Sequence, residues 1–307
     1  MDYCVCIQCF NKPIETLLFL ESLEQCIGIS DINLILFIDK AISNSKYYKK
    51  NKELIKVLNN YSNNQKNVYK SIEIIISDQN LGPYKACCNC IDNGFKKYKY
   101  VIFSEDDILF CNDTLIYFKK YFESDQYKND PNCIGISSSS NNFGFNNKSS
   151  FIIENDKIIP NAIYMNDIQL IKNKVEELNL INSIIKVNWA PNKQFGMIKE
   201  NWEKIKFFRT DAYILDKKLN TSAPDYATGV FVKEKKYYFL FSFIPRSNDI
   251  GLYNEIGCTT LYYDGILVPY TIKYLTSNDF NINNKIYDLI DNEKLIKFND
   301  FIKTYNF

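Results

Sequence analysis

Short apolar runs alternate with helix-like segments over the first 110 residues of the chain. The runs are rich in β-branched and aromatic residues with almost no polar break, which is typical of buried strands. The segments between them show helical spacing of apolar residues, with Pro13 near the first helix start. The pattern predicts strands at 3–9, 32–38, 72–76 and 100–104, and helices at 14–26, 47–61 and 84–95. This order predicts a mostly parallel sheet with right-handed crossovers and helices on both faces.

The regular alternation ends near residue 145. Before that point the pattern also predicts a helix at 115–122, a strand at 133–137 and a polar loop at 138–144. Beyond it the apolar positions are patchier. They predict a strand at 152–159, a helix at 175–185, an irregular stretch at 189–196, a helix at 199–207, a strand at 237–243, a loop at 245–251 and a closing amphipathic helix at 287–305. We therefore expect two halves, 1–145 and 146–307, within one continuous α/β unit.

The composition is that of a folded protein with a full core. Of the 307 residues, 46% are hydrophobic and 15% aromatic, so the chain can bury a core of ordinary size. Lys and Arg total 37 against 36 Asp and Glu, a balance that argues against nucleic acid as the main partner. The sequence has no His, which excludes Ser-His-Asp enzymes, Cys-His enzymes and His-ligated zinc hydrolases. Acid–base chemistry must therefore fall to Asp, Glu, Lys, Tyr or Cys.

Ten cysteines are present, and two pairs have CxxC spacing: Cys6 with Cys9, and Cys87 with Cys90. A metal knuckle is one interpretation of these pairs. Strand positions three apart point to opposite faces, however, and neither pair contains a turn-forming Gly or Pro, so we expect buried structural thiols. No secretion signal and no apolar run of membrane-spanning length is visible. We expect a cytoplasmic, soluble protein with free thiols, for which peripheral membrane association stays open.

Three adjacent carboxylates, Glu105, Asp106 and Asp107, follow the predicted strand at 100–104. They lie at the edge where open α/β sheets hold their ligands. Adjacent acids repel one another, and a divalent cation held by oxygen ligands together with a substrate phosphate would relieve that repulsion. A solvated acidic turn is the alternative interpretation, because acidic residues are common in turns.

Other polar residues follow the neighbouring strands, at the same predicted edge of the sheet. Together with the three acids, this set offers one lysine, hydrogen-bonding side chains and an acidic cation site, as a nucleoside diphosphate requires. Four of them have a simpler interpretation: Lys12 can be solvated, Asp39 can cap a turn, and the role of Asn80 and Gly82 can be limited to forming the turn. The residues are Asn11, Lys12, Asp39, Asn80 and Gly82.

The polar residues that follow the first, second, third and fourth predicted strands, taken in chain order, resemble the motifs of GT-A glycosyltransferases. The Glu-Asp-Asp form of the metal motif is similar to that of the N-acetylglucosaminyltransferase that initiates complex N-glycans, and of its bacterial family-2-like relatives. The segment 130–137, followed by Asn141, Asn142 and Gly144, resembles that family's strand and Asn-rich loop. The resemblance covers residues 3–145 and is traceable over 189–258.

The resemblance implies a role for each of these residues. Asp107 would bind the metal, Mn²⁺ or Mg²⁺, while Glu105 and Asp106 would contact ribose, donor sugar or metal-bound water. Asp39 would contact the nucleoside, and Lys12 stands near a family arginine that contacts the nucleotide. Asn89 falls where the family has a histidine, so that contact is changed in this chain.

In the second half, the resemblance implies a sugar-pocket wall and a catalytic base. Trp189, with Gly196, Met197 and Trp202, corresponds to the wall, although a place in the core is the alternative for both tryptophans. Asp225 corresponds to the family's base, with Asp211 and Asp249 as the alternatives. The segment 247–251, which includes Asn248, resembles the loop that closes over the donor. Arg246 is expected either at a phosphate or in a surface ion pair.

The expected function is metal-dependent transfer of a sugar, with inversion, from a UDP-sugar to a glycan or protein acceptor. UDP-GlcNAc is the donor that the resemblance suggests. A non-catalytic GT-A-like domain that binds a glycan or a partner is the main alternative. A sugar-nucleotide pyrophosphorylase needs a Gly-rich first loop to hold a triphosphate, and residues 10–13 contain no Gly.

Overall fold

The computed structural model describes most of the chain and gives the architecture directly. The described residues are 2–64, 67–138, 151–154, 157–160, 162–191, 193–209, 224–250, 262–263, 266–267, 276–280, 287–289, 291, 293–294, 296–297 and 300–301. The strands are β1 Tyr3–Cys9, β2 Asn33–Ile38, β3 Ser71–Ile76, β4 Tyr100–Glu105, β5 Ile108–Phe110, β6 Cys133–Ser137, β7 Phe151–Glu154, β8 Lys157–Pro160, β9 Ser183–Val187, β10 Gln194–Ile198, β11 Tyr238–Ser242, β12 Ser247–Asp249, β13 Tyr262–Tyr263, β14 Ile266–Leu267 and β15 Asp288–Leu289.

Helices connect these strands and cover the sheet. They are α1 Pro13–Glu24, α2 Tyr48–Asn64, α3 Pro83–Phe95, α4 Thr114–Glu123, α5 Asp125–Lys128, α6 Ala162–Glu177, α7 Lys199–Ile205 and α8 Pro224–Glu234. Proline occupies the first position of α1 and of α3, where its fixed φ suits a helix start and its missing N–H costs nothing. Gly82 precedes α3 with a φ of 74°, a left-handed conformation that glycine adopts without strain.

Nine of the described strands form one sheet, in the order β15–β9–β11–β6–β10–β4–β1–β2–β3. The four strands from β3 to β4 run parallel, as the alternating pattern predicts. β10 runs antiparallel between β4 and β6, and β11 continues parallel to β6. The predicted fold class, a mostly parallel α/β sheet flanked by helices, is therefore present. Strands from both sides of residue 145 share this sheet.

Alternate side chains of each central strand pack into two separate hydrophobic cores, one on each face of the sheet. Val5 and Ile7 of β1 pack on the face that carries α1, α2 and α4. Cys4 and Cys6 point to the other face, toward α3 and α7. All four side chains have no exposed surface. Both faces of β1 are covered, which explains why its sequence is a continuous apolar run rather than an alternating one.

Several element predictions for the second half are wrong. The predicted helix at 175–185 is the end of α6 and the start of β9, and the predicted strand at 152–159 is the hairpin of β7 and β8. β10 begins within the stretch predicted to be irregular, β12 lies within the predicted loop at 245–251, and β15 occupies the start of the predicted closing helix. These short strands depend on distant partners, which a local pattern does not show.

The cysteines within the described residues are free and buried, as predicted. The Sγ atoms of Cys4 and Cys6 lie 3.5 Å apart on one face of β1. Across the described residues, no group of three or more Cys, Asp or Glu side chains is arranged to hold a metal ion by itself. No helix in the described part of the chain is long and apolar enough to cross a bilayer.

Arg246 is neither at the surface nor free for a phosphate, so both expectations for it are wrong. Its side chain has no exposed surface, and Nε donates to Asp113 Oδ2 at 2.8 Å. The guanidinium also donates to the carbonyl of Ile181 at 2.8 Å. It lies between the rings of Tyr117 and Tyr287, at 4.9 and 4.8 Å from their centroids. This buried ion pair fixes the chain just before β12.

Substituting Asp113→Ala should lower the free energy of unfolding by about 3–5 kcal/mol, because it leaves the buried guanidinium of Arg246 without its counter-ion. Asp31→Ala is the matched control. Asp31 is 64% exposed and 4.0 Å from Lys119 Nζ, so its loss should change the free energy by about 0.5 kcal/mol or less. Urea denaturation measures both, and a loss below about 1 kcal/mol for Asp113→Ala would contradict the assigned role.

Candidate functional site

The carboxyl ends of β1 and β4 lie side by side, with Gln8 of β1 opposite Glu105 of β4. This pairing brings Lys12, at the start of α1, to the acidic turn that follows β4. The Lys12 ammonium donates to Asp107 Oδ2. Two motifs that lie 95 positions apart in the sequence therefore form a single site, as the predicted parallel order requires.

Asp107 is the most enclosed of the three acids, at 2% exposure. Its Oδ2 accepts from Lys12, whereas Oδ1 is buried and has no hydrogen-bond partner. Its backbone carbonyl accepts from the Ile250 N–H at 2.9 Å. A buried carboxylate oxygen without a donor is costly, and it is available to a cation.

Asp106 points toward the first turn of α1. Its Oδ2 accepts from the Thr16 hydroxyl at 3.1 Å and from the Phe10 N–H at 3.4 Å. Burial raises the pKa of Asp106 to about 7, with Lys12 acting in the opposite direction and Asp107 in the same one. Asp106 therefore ties the acidic turn to α1, and its predicted contact with the donor stays a prediction.

A fourth carboxylate, Asp249, joins the three acids through β12, which pairs antiparallel with β5. Lys193 links this segment to the site, because its ammonium lies 2.7 Å from Asp249 Oδ2 and 4.0 Å from Glu105 Oε2. Burial alone would lower the pKa of Lys193, but Asp249 and Glu105 raise it. Asn248 lies beside Asp249, opposite Leu109, at the predicted donor loop.

We refer to these six side chains as the carboxylate–lysine cluster: Glu105, Asp106, Asp107, Asp249, Lys12 and Lys193. It contains four acids against two ammonium groups, so one divalent cation would balance its charge when all four acids are ionised. No three or more of the described acids are arranged to hold a metal ion by themselves. Mg²⁺ and Mn²⁺ can also be held by one or two carboxylates, with phosphate oxygens and water completing the shell, and such a site stays a prediction for this cluster. The unpartnered Oδ1 of Asp107 fits that arrangement.

Asp39, at the end of β2, organises the loop that follows β3. Its carboxylate accepts from the backbone N–H groups of Leu81 at 2.8 Å and Gly82 at 3.0 Å, and from Asn80 Nδ2 at 3.2 Å. Burial raises the pKa of Asp39, and the N–H groups of Leu81 and Gly82 oppose the shift. The turn-forming alternative is thus present for all three predicted residues, and their contact with a nucleoside stays a prediction.

Two residues that the sequence pattern did not indicate also build the site. Asn51 of α2 donates from Nδ2 to the carbonyls of Phe10 and Asp39, at 2.5 and 2.9 Å, and so joins the loops after β1 and β2. Lys193 was missed because its partners are distant, the nearer acid lying 56 positions away. The residues around Asn51 and Lys193 in the sequence therefore do not indicate which groups these side chains contact.

The other two residues predicted to contact the nucleotide, Asn11 and Asn89, lie in different surroundings. Asn11 is buried, with 5% exposure, beside Lys12. Asn89 lies on the exposed surface of α3, where its Nδ2 donates to the Lys85 carbonyl at 2.8 Å. The structure therefore shows Asn89 bonded to its own helix.

The predicted sugar-pocket wall is only partly at the surface. Trp189 is half-buried and packs over Gly229 of α8, where an added Cβ would lie 2.2 Å from the indole. Trp202 is fully buried and donates to Asp92 Oδ1 at 2.8 Å, so its core alternative is correct. Met197 is also fully buried. Asp225 is the second residue of the helix that contains Gly229, but its side chain, like the whole of Asp211, lies outside the described residues.

No protein-family profile and no curated protein matches this chain. Among solved structures, it is similar to TarS 1–349 of S. aureus in complex with UDP-GlcNAc, at 15% identity and a TM-score of 0.32, over 42% of this chain and 32% of that one. It is also similar to the bifunctional glycosyltransferase WbbM, at 13% identity and a TM-score of 0.39, over 78% and 38%. A third is 4-diphosphocytidyl-2C-methyl-D-erythritol synthase from Anaerococcus prevotii DSM 20548, at 9% identity and a TM-score of 0.40, over 78% and 86%. The chain thus spans less than two thirds of the TarS and WbbM structures.

The raised pKa of Asp106 predicts a pH-dependent stability. An unfolded Asp has a pKa near 3.9, so the contribution of this carboxyl is full below about pH 4 and is lost as the pH rises toward about 7. Asp106→Asn should remove that loss and raise the free energy of unfolding at pH 8 by about 1–3 kcal/mol relative to wild type, with little change at pH 4. Denaturation at both pH values measures this, with exposed Asp125→Asn as the control. A variant less stable than wild type at pH 8 would contradict the prediction.

Proposed function

We propose that this chain is a metal-dependent GT-A glycosyltransferase that uses a nucleotide-sugar donor. The observation that carries the proposal is the buried, unpartnered Oδ1 of Asp107 within an acidic cluster at the carboxyl edge of a mostly parallel sheet. Ligands of open α/β sheets bind at that edge, and a hard cation is the natural partner of a buried carboxylate oxygen.

The cluster supplies complementary groups for a sugar diphosphate. Asp107 would hold Mn²⁺ or Mg²⁺, and the ammonium of Lys12, adjacent to it, would contact the phosphates. A cation bound there neutralises the negative charge that develops on the departing diphosphate. Glu105, whose side chain is 37% exposed, is the acid of the cluster best placed to meet the donor sugar.

The acceptor hydroxyl must lose its proton as it attacks the anomeric carbon, and without His a carboxylate is the group that takes it. Asp249 lies in the cluster, but its charge is already neutralised by Lys193 at 2.7 Å. A carboxylate so paired is a weak proton acceptor. This favours Asp225, on the helix against which Trp189 packs, over Asp249, and assigns Asp249 to the positioning of the donor side; Asp211 stays the alternative base. An inverting transfer to a glycan or protein acceptor and a UDP-linked donor, with GlcNAc as the first candidate, complete the proposal.

The alternative, a GT-A-like domain that binds without catalysis, shares the same cation site. Turnover separates the two, since only the enzyme releases UDP from a UDP-sugar. A pyrophosphorylase remains disfavoured, because the loop that carries Lys12 has no glycine to hold a triphosphate.

Removing the proposed cation ligand should abolish cation-dependent nucleotide binding. We expect Mn²⁺ with UDP or a UDP-sugar to raise the Tm of the wild type, since ligands that bind only the native state stabilise it. Asp107→Ala should lose that shift, whereas Asp125→Ala, at an 87% exposed acid, should retain it. A thermal-shift screen of UDP-, GDP-, CMP- and dTDP-sugars with and without Mn²⁺ makes the comparison. An unchanged shift in Asp107→Ala would exclude this site.

Asp225→Asn should leave donor binding unchanged and lower turnover by about 10²–10⁴-fold, the usual contribution of a general base. UDP release from the donor identified in the screen measures turnover, and the thermal shift checks binding. Asp249→Asn is the comparison, for which weaker donor binding is expected to accompany any loss of rate. Undiminished turnover in Asp225→Asn would place the base elsewhere.

A further inference from the structure

Lys12 neutralises the very carboxylate that the proposed cation would need. The side chains of Lys12 and Asp107 are 17% and 2% exposed, so this ion pair is largely shielded from water. A cation that approaches Asp107 therefore meets a positive charge that is already paired with the same carboxylate.

The backbone of Lys12 is held while its ammonium is carried on a long stem. Its carbonyl accepts from the Thr16 N–H at 2.9 Å, at the first turn of α1. The four-carbon stem of a lysine has many rotamers. The ammonium can therefore leave Asp107 without any change in the fold, provided that another anion accepts it.

We propose that Lys12 couples cation binding to diphosphate binding by exchanging its anionic partner. In the ligand-free protein the ammonium pairs with Asp107; when a nucleoside diphosphate arrives with a divalent cation, the cation takes Asp107 and the ammonium moves to the diphosphate. This inference rests on the proposed function and adds a specific prediction to it. The cation alone binds weakly because it must displace Lys12, and the diphosphate removes that penalty.

Such coupling is reciprocal: if UDP tightens Mn²⁺ binding, Mn²⁺ tightens UDP binding by the same factor. Direct contact between Mn²⁺ and UDP also contributes, so the wild type alone does not isolate the role of Lys12.

A comparison of three variants isolates the role of Lys12. Lys12→Met removes the ammonium and keeps a stem of similar length. Lys193→Met removes one positive charge from the same cluster, at a lysine paired with Asp249 rather than with Asp107. Lys97→Met removes a surface ion pair with Glu73.

Isothermal titration of Mn²⁺ into each protein, with and without saturating UDP, tests the exchange. In the wild type we expect UDP to tighten Mn²⁺ binding by about 10-fold or more. Lys12→Met should bind Mn²⁺ alone about 10-fold more tightly than wild type, and its gain from UDP should be about 5-fold smaller. Lys193→Met should tighten Mn²⁺ binding less than Lys12→Met and retain the gain from UDP, and Lys97→Met should match wild type.

Three results would overturn the exchange. In the first, Lys12→Met binds Mn²⁺ no more tightly than wild type. In the second, the affinity of Lys12→Met for Mn²⁺ alone rises no more than that of Lys193→Met, which would mean that the net charge of the cluster, rather than exchange, sets the affinity. In the third, its gain from UDP is unchanged, so that Lys12 never reaches the diphosphate. If the wild type binds neither Mn²⁺ nor UDP, the proposed function itself fails and the exchange fails with it. Unfolding curves of each variant confirm that a folded protein is compared.

Discussion

The ion pair between Lys12 and Asp107 is the contact on which the arrangement of the site depends. Three acids in succession at a strand end repel one another, and their burial makes the repulsion more costly. Lys12 relieves it from the start of α1 and Lys193 from the start of β10. Each lysine belongs to a different segment, so neutralising the acids also brings α1, the turn after β4, the residue before β10, and β12 together at this edge.

The carboxylates at that edge have different roles. Asp39 holds the loop after β3, Asp106 holds the start of α1, and Asp249 is held by Lys193. These contacts build the walls of the site. Asp107 differs from them, because one of its oxygens is buried without a donor. A group left in that state in an otherwise satisfied cluster is the reason for proposing a cation there.

Most elements of the first 138 residues could be predicted from the sequence because they are long, strongly patterned and locally connected, whereas the short β5 and α5 were not predicted. β1 and β2 are covered on both faces, and their continuous apolar runs record this directly. The proximity of Lys12 to the acidic turn could be predicted because the strands that precede them, β1 and β4, run parallel. The second half was harder, because β10 is short and is stabilised by pairing with β4 and β6 rather than by its own residues. Lys193 and Arg246 owe their roles to acids 56 and 133 positions away, so neither role has a local signal.

Anomalous diffraction at the manganese edge, from crystals grown with UDP and Mn²⁺, tests the proposed cation site at Asp107 most directly. We expect a single strong peak bonded to the Asp107 carboxylate at about 2.1 Å, the distance typical of small octahedral divalent cations. We also expect the Lys12 ammonium to have moved from Asp107 to a phosphate oxygen. Bound UDP with no peak at Asp107, or with manganese held by other side chains, would contradict the proposed site.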